Sequence, residues 1–185
     1  ALSTLINSFK PSYIFQNTKR MALDNWVPVL EIGVYCLYST GYTKDYVLNK
    51  NLSLLLPTSG TTGSPKCVRL SYSNIFSNTV AICNYLNISS KDRVITTLPM
   101  SYSYGLSIIN THLFSNSSLI LTNLSFAQRS IWDQIKKFKV TTFGGVPYTF
   151  ELLKKLNFSK LNIDSFDYIT QAGGKLDLNV LKYFI

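Results

Sequence analysis

The chain opens with apolar residues at helical spacing, Leu2, Leu5, Ile6 and Phe9, and Pro11 then stops the helix. Residues 13–15 read as a short strand. Residues 29–38 are rich in β-branched and aromatic side chains, and Ser39-Thr40-Gly41 is placed to turn them into a further strand over 42–48. From Leu52 the pattern becomes regular. Residues 52–56 form a continuous apolar run of the kind buried on both faces of a sheet. Residues 67–70 predict another short strand, and 71–74 supply N-cap candidates for a helix carrying Ile75, Thr79, Ile82 and Leu86. Strands over 93–98, 119–122, 140–143 and 168–170 then alternate with helices over 105–114, 131–138 and 147–156. Ile131, Ile135 and Phe138 share one helix face, Pro147 sits in a tolerated first turn, and Asp177 opens a last helix. This alternation predicts an α/β fold, layered around a largely parallel sheet.

Composition narrows the function classes. Of 185 residues 46% are hydrophobic, enough for a sizeable core, which excludes wholesale disorder. No apolar run approaches the ~18 residues of a membrane span, and the best stretch, 27–37, contains Glu31, so no transmembrane segment is expected. Cys36, Cys67 and Cys83 are an odd count without CxxC spacing. With His112 the only histidine, they argue against a zinc site and read as buried free thiols in a reducing cytoplasm. The chain starts at Ala1 without a secretion signal and stops inside a predicted helix, which reads as an internal piece of a longer protein. The net charge of +9 raises nucleic-acid binding. However, the basic residues are scattered, and only Lys136, Lys137 and Lys139 cluster, at a predicted helix end where cations are favoured anyway. No nucleic-acid partner is expected.

One segment stands out chemically: Thr58-Ser59-Gly60-Thr61-Thr62-Gly63-Ser64-Pro65-Lys66. It follows an apolar strand and consists of small hydroxyl residues and glycines ending in a lysine. Glycine lets backbone N–H groups converge on an anion, the hydroxyls add donors, and Lys66 adds a charge with no carboxylate nearby in sequence. Charge-assisted hydrogen bonds contribute roughly 1.5–3 kcal/mol each, so a few could hold a polyphosphate. It is not a Walker A loop, because Pro65 precedes Lys66 and Cys67 follows it. By composition alone a Ser/Thr/Gly linker is the competing reading, made less attractive by the ordered pattern on both sides.

Residues 59–66 resemble the phosphate-binding signature of the adenylate-forming superfamily, which includes acyl-CoA synthetases, luciferase and peptide-synthetase adenylation domains. Two later segments agree in order and spacing. Leu98-Pro99-Met100-Ser101-Tyr102-Ser103-Tyr104-Gly105 is similar to the family's Pro-Leu-Phe-His-x-x-Gly, and Gln171-Ala172-Gly173-Gly174-Lys175-Leu176 to its Ser-Gly-Gly-Ala-Pro-Leu. Gly145-Val146-Pro147-Tyr148 matches a Val-Pro helix start between them. The resemblance covers roughly 51–185. It implies an ATP-dependent carboxylate ligase that forms an acyl-adenylate, releases pyrophosphate and passes the acyl group to a thiol of CoA or of a carrier protein's phosphopantetheine. Fatty-acid metabolism is the setting it suggests.

By the same resemblance residues 58–66 would close over the phosphates of ATP, with a threonine of the loop helping to hold Mg²⁺. Gly173, Gly174 and Lys175 would lie against adenine. Tyr102, in place of the usual histidine, would stand near the reacting carboxylate, with Gly145 and Tyr148 as further candidates for the acyl pocket. Residues 1–90 would be the end of one α/β lobe and 91–185 the start of a second, with the C-terminal domain absent. Tyr102 cannot carry an imidazole's charge near neutral pH. Lys175 replaces a proline, Cys67 reads as packing, and His112 as a satisfied helix histidine. A nucleotide-binding remnant without catalysis is the competing reading, and the segment alone is expected to be inactive in ligation.

Overall fold

The computed structural model describes residues 2–18, 25–43, 46–57 and 66–185, and the chain divides into two compact units. The first comprises Ala1–Leu52 and Pro57–Val68, the second Ser53–Leu56 and Arg69–Ile185. In the first, α1 (Leu2–Phe9) leads into an antiparallel sheet of β1 (Tyr13–Asn17), β2 (Val27–Ile32) and β3 (Tyr35–Ser39), ordered β1-β3-β2. The strand expected over 29–38 is thus two strands. The chain reverses at Gly33, whose φ of +59° suits a residue without a Cβ, and not at 39–41. No strand follows among the described residues 40–43 and 46–49. There the Thr40 hydroxyl donates to the Pro11 carbonyl at 2.5 Å, and the Tyr46 hydroxyl to that of Phe9 at 2.8 Å.

β4 (Leu52–Pro57) pairs with β5 (Cys67–Ser71) in a two-stranded sheet. Contrary to the expectation of burial on both faces, β4 is half-buried with Leu55 exposed, since a two-stranded ribbon cannot cover both of its faces. α2 (Tyr72–Leu86) begins in a capping box. Ser71 Oγ accepts from the Asn74 amide at 3.1 Å, and Asn74 Oδ1 accepts from the Ser71 amide at 3.0 Å.

The second unit is built on a four-stranded parallel sheet, ordered β7-β6-β8-β9, from β6 (Arg93–Thr96), β7 (Ser118–Leu121), β8 (Thr142–Gly145) and β9 (Tyr168–Gln171). Its helices are α2, α3 (Ser103–Phe114), α4 (Arg129–Phe138), α5 (Pro147–Lys155) and α6 (Leu178–Phe184), the last capped by the Asp177 carboxylate. The α/β class with a largely parallel sheet is as expected. Among the described residues no helix is long and apolar enough to cross a membrane.

Side chains alternate across the sheet, so its two faces differ in chemistry. One face carries Ile95 and Phe143, which pack with Ile131, Trp132 and Ile135 of α4, Leu153 of α5, and Phe126. The Phe143 ring lies 4.8 Å from that of Phe126 and 5.4 Å from that of Phe166. Phe138, expected on this face, is instead 41% exposed. It is the last residue of α4, and Trp132 fills the core, with its indole N–H donating to the Phe126 carbonyl at 3.1 Å.

Phe143 is fully buried at the centre of this aromatic cluster, so Phe143→Ala leaves a cavity that several rigid rings cannot close. We expect a loss of about 3–5 kcal/mol in denaturant-induced unfolding. A loss below ~1 kcal/mol would show that the cluster repacks freely.

Candidate functional site

The opposite face of the sheet is mixed, with hydroxyl-bearing side chains among apolar ones. Val94, Thr142 and Tyr168 stand in register as one row, and Gly144 and Thr170 follow in the next. α3 crosses this face with Tyr104, Ile108 and His112 at i, i+4 and i+8, a single stripe. Its approach is close: a Cβ on Gly144 would come within 2.6 Å of both Ile108 Cδ1 and the Tyr104 hydroxyl. One on Gly105 would strike the Pro99 carbonyl. The Tyr104 hydroxyl lies 2.8 Å from Thr170 Oγ1, and burial raises its pKa, so the phenol stays protonated.

Between α2, α3 and this face lies a cavity of about 450 Å³, within the range of small-molecule sites. Tyr102, Ala172 and Gly173 line one end, beside the C-terminal ends of the strands. Ile88, His112 and Tyr168 line the other. Tyr102 and Gly173 are in contact. Gly173 has φ +86°, and a Cβ there would collide with the Tyr102 hydroxyl. Two residues singled out separately in sequence therefore meet at the cavity.

The remaining candidates are placed as follows. Thr58, Ser59, Gly60, Thr61, Thr62, Gly63, Ser64 and Pro65 lie outside the described residues; Lys66 is exposed immediately before β5. Gly174 packs towards Pro147, whose Cγ would be 3.2 Å from a Cβ there, and Lys175 is exposed. Gly145 is buried at the end of β8 against Thr149 and Phe150 of α5, and Tyr148 is 69% exposed. Neither lines the cavity.

His112 is only half satisfied, unlike the expectation. Its Nδ1 lies 2.8 Å from the Ile108 carbonyl, which can only accept, so this nitrogen carries the proton. Nε2 is buried and has no hydrogen-bond partner among the described residues. Burial holds the imidazole pKa below its ordinary value, against a smaller opposing effect of the Ile108 carbonyl. The Tyr168 hydroxyl is also buried, with no partner of full hydrogen-bond geometry among the described residues. Thr142, its neighbour on β8, is near but does not meet hydrogen-bond geometry. Tyr104, His112, Tyr168 and Thr170 were not expected at a site. The available signal was hydroxyl-bearing residues, Thr142 and the alternate pair Tyr168-x-Thr170, in strands that a parallel sheet should bury on both faces.

Two outcomes follow from this geometry. Gly173→Ala combines a positive-φ penalty of about 1–2 kcal/mol with a clash against the Tyr102 hydroxyl. In a double-mutant cycle followed by thermal unfolding, Tyr102→Phe should recover the second part and leave the first; strict additivity would mean that the two residues do not touch. His112 is the source of a pH dependence. Its folded pKa is lowered, so as pH falls through the unfolded value of ~6.5 the unfolded chain takes up the proton first. The imidazole's contribution is therefore complete above that pH and lost below it. His112→Leu should flatten unfolding stability between about pH 7 and 5, and an unchanged slope would contradict the buried neutral imidazole.

Comparison with known proteins identifies the family. A family model described as AMP-binding enzyme matches residues 13–184. The acyl-CoA synthetase ALT10 of Alternaria alternata is 34% identical over 125 residues, which are 66% of this chain and 21% of the relative. The oxalate–CoA ligase of Saccharomyces cerevisiae is 30% identical over 102 residues, 55% of this chain and 19% of the relative. The o-succinylbenzoate CoA synthetase of Bacillus subtilis, solved with its acyl-adenylate intermediate, superposes with a TM-score of 0.61 at 27% identity, over 69% of this chain and 26% of that one. The chain thus spans about a fifth of the length of the curated relatives it matches. With nearly all of its length matched by one family model, the chain belongs to the AMP-binding enzyme family.

Proposed function

We propose that this sequence is part of an ATP-dependent ligase that joins a carboxylic acid to a thiol by way of an acyl-adenylate. The observation that carries this reading is the meeting of Tyr102 and Gly173 at one end of the 450 Å³ cavity. An acid placed with its carboxylate beside Tyr102 has room for its acyl part between α3 and the sheet. The Tyr102 hydroxyl would donate to the carboxylate and hold it in line for attack, without adding charge.

The carboxylate oxygen attacks the α-phosphorus of ATP, the bond from that phosphorus to the bridging oxygen breaks, and pyrophosphate leaves. The sulfur of CoA or of a carrier protein's phosphopantetheine then attacks the acyl carbon, AMP departs, and the thiol proton passes to solvent. In this reading residues 58–66 hold the β- and γ-phosphates, with Lys66 as a fixed charge against the departing pyrophosphate. Gly173, Gly174 and Lys175 present backbone to adenine. At Gly173 the room left by the missing side chain is already taken by Tyr102, so the glycine would serve the nucleotide through the path of the main chain. ATP enters with Mg²⁺. Among the described residues no group of three His, Cys, Asp or Glu side chains could hold the ion, and no step is assigned to it. Residues 1–90 and 91–185 as parts of two lobes belong to the same proposal, although α2 packs on α3 within one structural unit.

The full-length protein carrying this sequence should catalyse ATP–pyrophosphate exchange only when a suitable carboxylic acid is present. Lys66→Ala should lower that exchange about a hundredfold or more. Absence of exchange with every acid of a broad panel, with nucleotide still bound, would replace ligation by nucleotide binding alone.

A further inference from the structure

The sheet face that lines the cavity is not equally open along its length. At the row of Gly144 and Thr170 the space next to the sheet is filled from α3. The Tyr104 hydroxyl lies 2.8 Å from Thr170 Oγ1, and the tip of its ring and Ile108 Cδ1 occupy the place that a Gly144 side chain would take. One row further in, at Thr142 and Tyr168, the cavity resumes, two residues or about 6.6 Å away. Tyr102, at the proposed carboxylate end, lies on the other side of the closed row, against Gly173. The direct path along the sheet from Tyr102 to the inner part of the cavity is therefore blocked at Tyr104.

The way past Tyr104 runs along α2. Asn78, Ile82 and Leu86 stand at i, i+4 and i+8, one stripe of that helix, and line the same cavity. Ile82 and Leu86 are half-buried, so part of each stays accessible, and with Ile88 they make this wall largely apolar. The barrier itself is held in place. The Tyr104 ring cannot swing aside without separating its hydroxyl from Thr170 in a part-buried setting, which strands both groups. The occupant has to turn, not the ring. A flexible chain turns by rotation about its single bonds, whereas a rigid ring system of similar size cannot.

We propose that Tyr104, pinned by Thr170, is a specificity-determining residue that turns the acyl part from the sheet towards α2 and so selects acids with a flexible apolar chain over rigid ring systems. This rests on the ligase reading of the same cavity. The test compares butanoic, hexanoic and octanoic acids with biphenyl-4-carboxylic acid on the full-length protein. Binding is measured by titration calorimetry without ATP, and ATP–pyrophosphate exchange is measured separately. Each methylene that reaches the α2 wall should tighten binding about fourfold. Octanoic acid should bind about tenfold or more tightly than the biphenyl acid. Tyr104→Ala opens the direct path and should cancel that preference by admitting the biphenyl acid. Thr170→Val frees the ring without removing it and should lower the preference part-way, which keeps the proposal testable if Tyr104→Ala does not fold. Ile82→Trp should remove the gain with chain length. A merely structural role for Tyr104 would weaken all the acids alike. Equal binding of octanoic and biphenyl acids by the unaltered protein overturns the proposal, as does a preference that survives Thr170→Val and, where it folds, Tyr104→Ala. If exchange fails with every acid while calorimetry keeps the expected order, the ligase reading falls and the selection by Tyr104 stands.

Discussion

The cavity depends on how closely α3 can approach the sheet. Gly144 on β8 leaves space that Tyr104 and Ile108 fill, and Gly105 lets the first turn of the helix rest against the Pro99 carbonyl. A methyl group at either point would push the helix outward. With both contacts made, the Tyr104 hydroxyl reaches Thr170 at 2.8 Å and pins the start of α3 over β9. Beyond Ile108 the cavity continues between α3 and the sheet, with His112 and Tyr168 among its lining residues.

The two faces of the sheet support this arrangement differently. Towards α4 and α5 the strands present Ile95 and Phe143 to a ring-rich core, where each fully buried side chain contributes roughly 1.5–3 kcal/mol. Towards α3 the same strands present Thr142, Tyr168 and Thr170, which pack less apolar surface but offer hydroxyls. Alternation along β8 and β9 thus divides the work: one face fixes the sheet, and the other can spare area for a ligand. A face built wholly of valine and isoleucine would hold α3 more tightly and leave nothing to orient a polar group.

Much of this was legible in sequence where a residue type has one dominant use. Ser71 and Asn74 announce a helix start, Pro147 sits where a helix begins, and the parallel sheet follows from the alternation of elements. Residues with several uses were harder. Gly33 reads as one more position in a β-rich run until its positive φ makes it a turn. Gly173 reads as room for a ligand, yet its missing Cβ admits Tyr102. Gly145 reads as a pocket position, yet its missing Cβ faces α5. A lone glycine shows that something approaches closely, and sequence cannot say whether that is backbone, side chain or substrate. His112 posed the same difficulty: its place in a helix reads as a satisfied histidine, and only the Ile108 contact reveals which nitrogen is left over.

That tautomer also sets a direction along the cavity. Burial keeps His112 neutral, and Asp92, whose Oδ2 accepts from the Ser89 amide at 2.7 Å, stays close enough to bias Tyr168 towards its protonated form. An anion placed there would be desolvated and would face a carboxylate, and among the described residues no Lys or Arg lines the cavity. At the other end Tyr102 stands beside residues 172–174, which are exposed, so water can reach there. On the proposed reading a carboxylic acid would therefore enter with its charge beside Tyr102 and its neutral part inward. On that reading the orientation would come from an uncharged imidazole and not from a positive group at the opposite end.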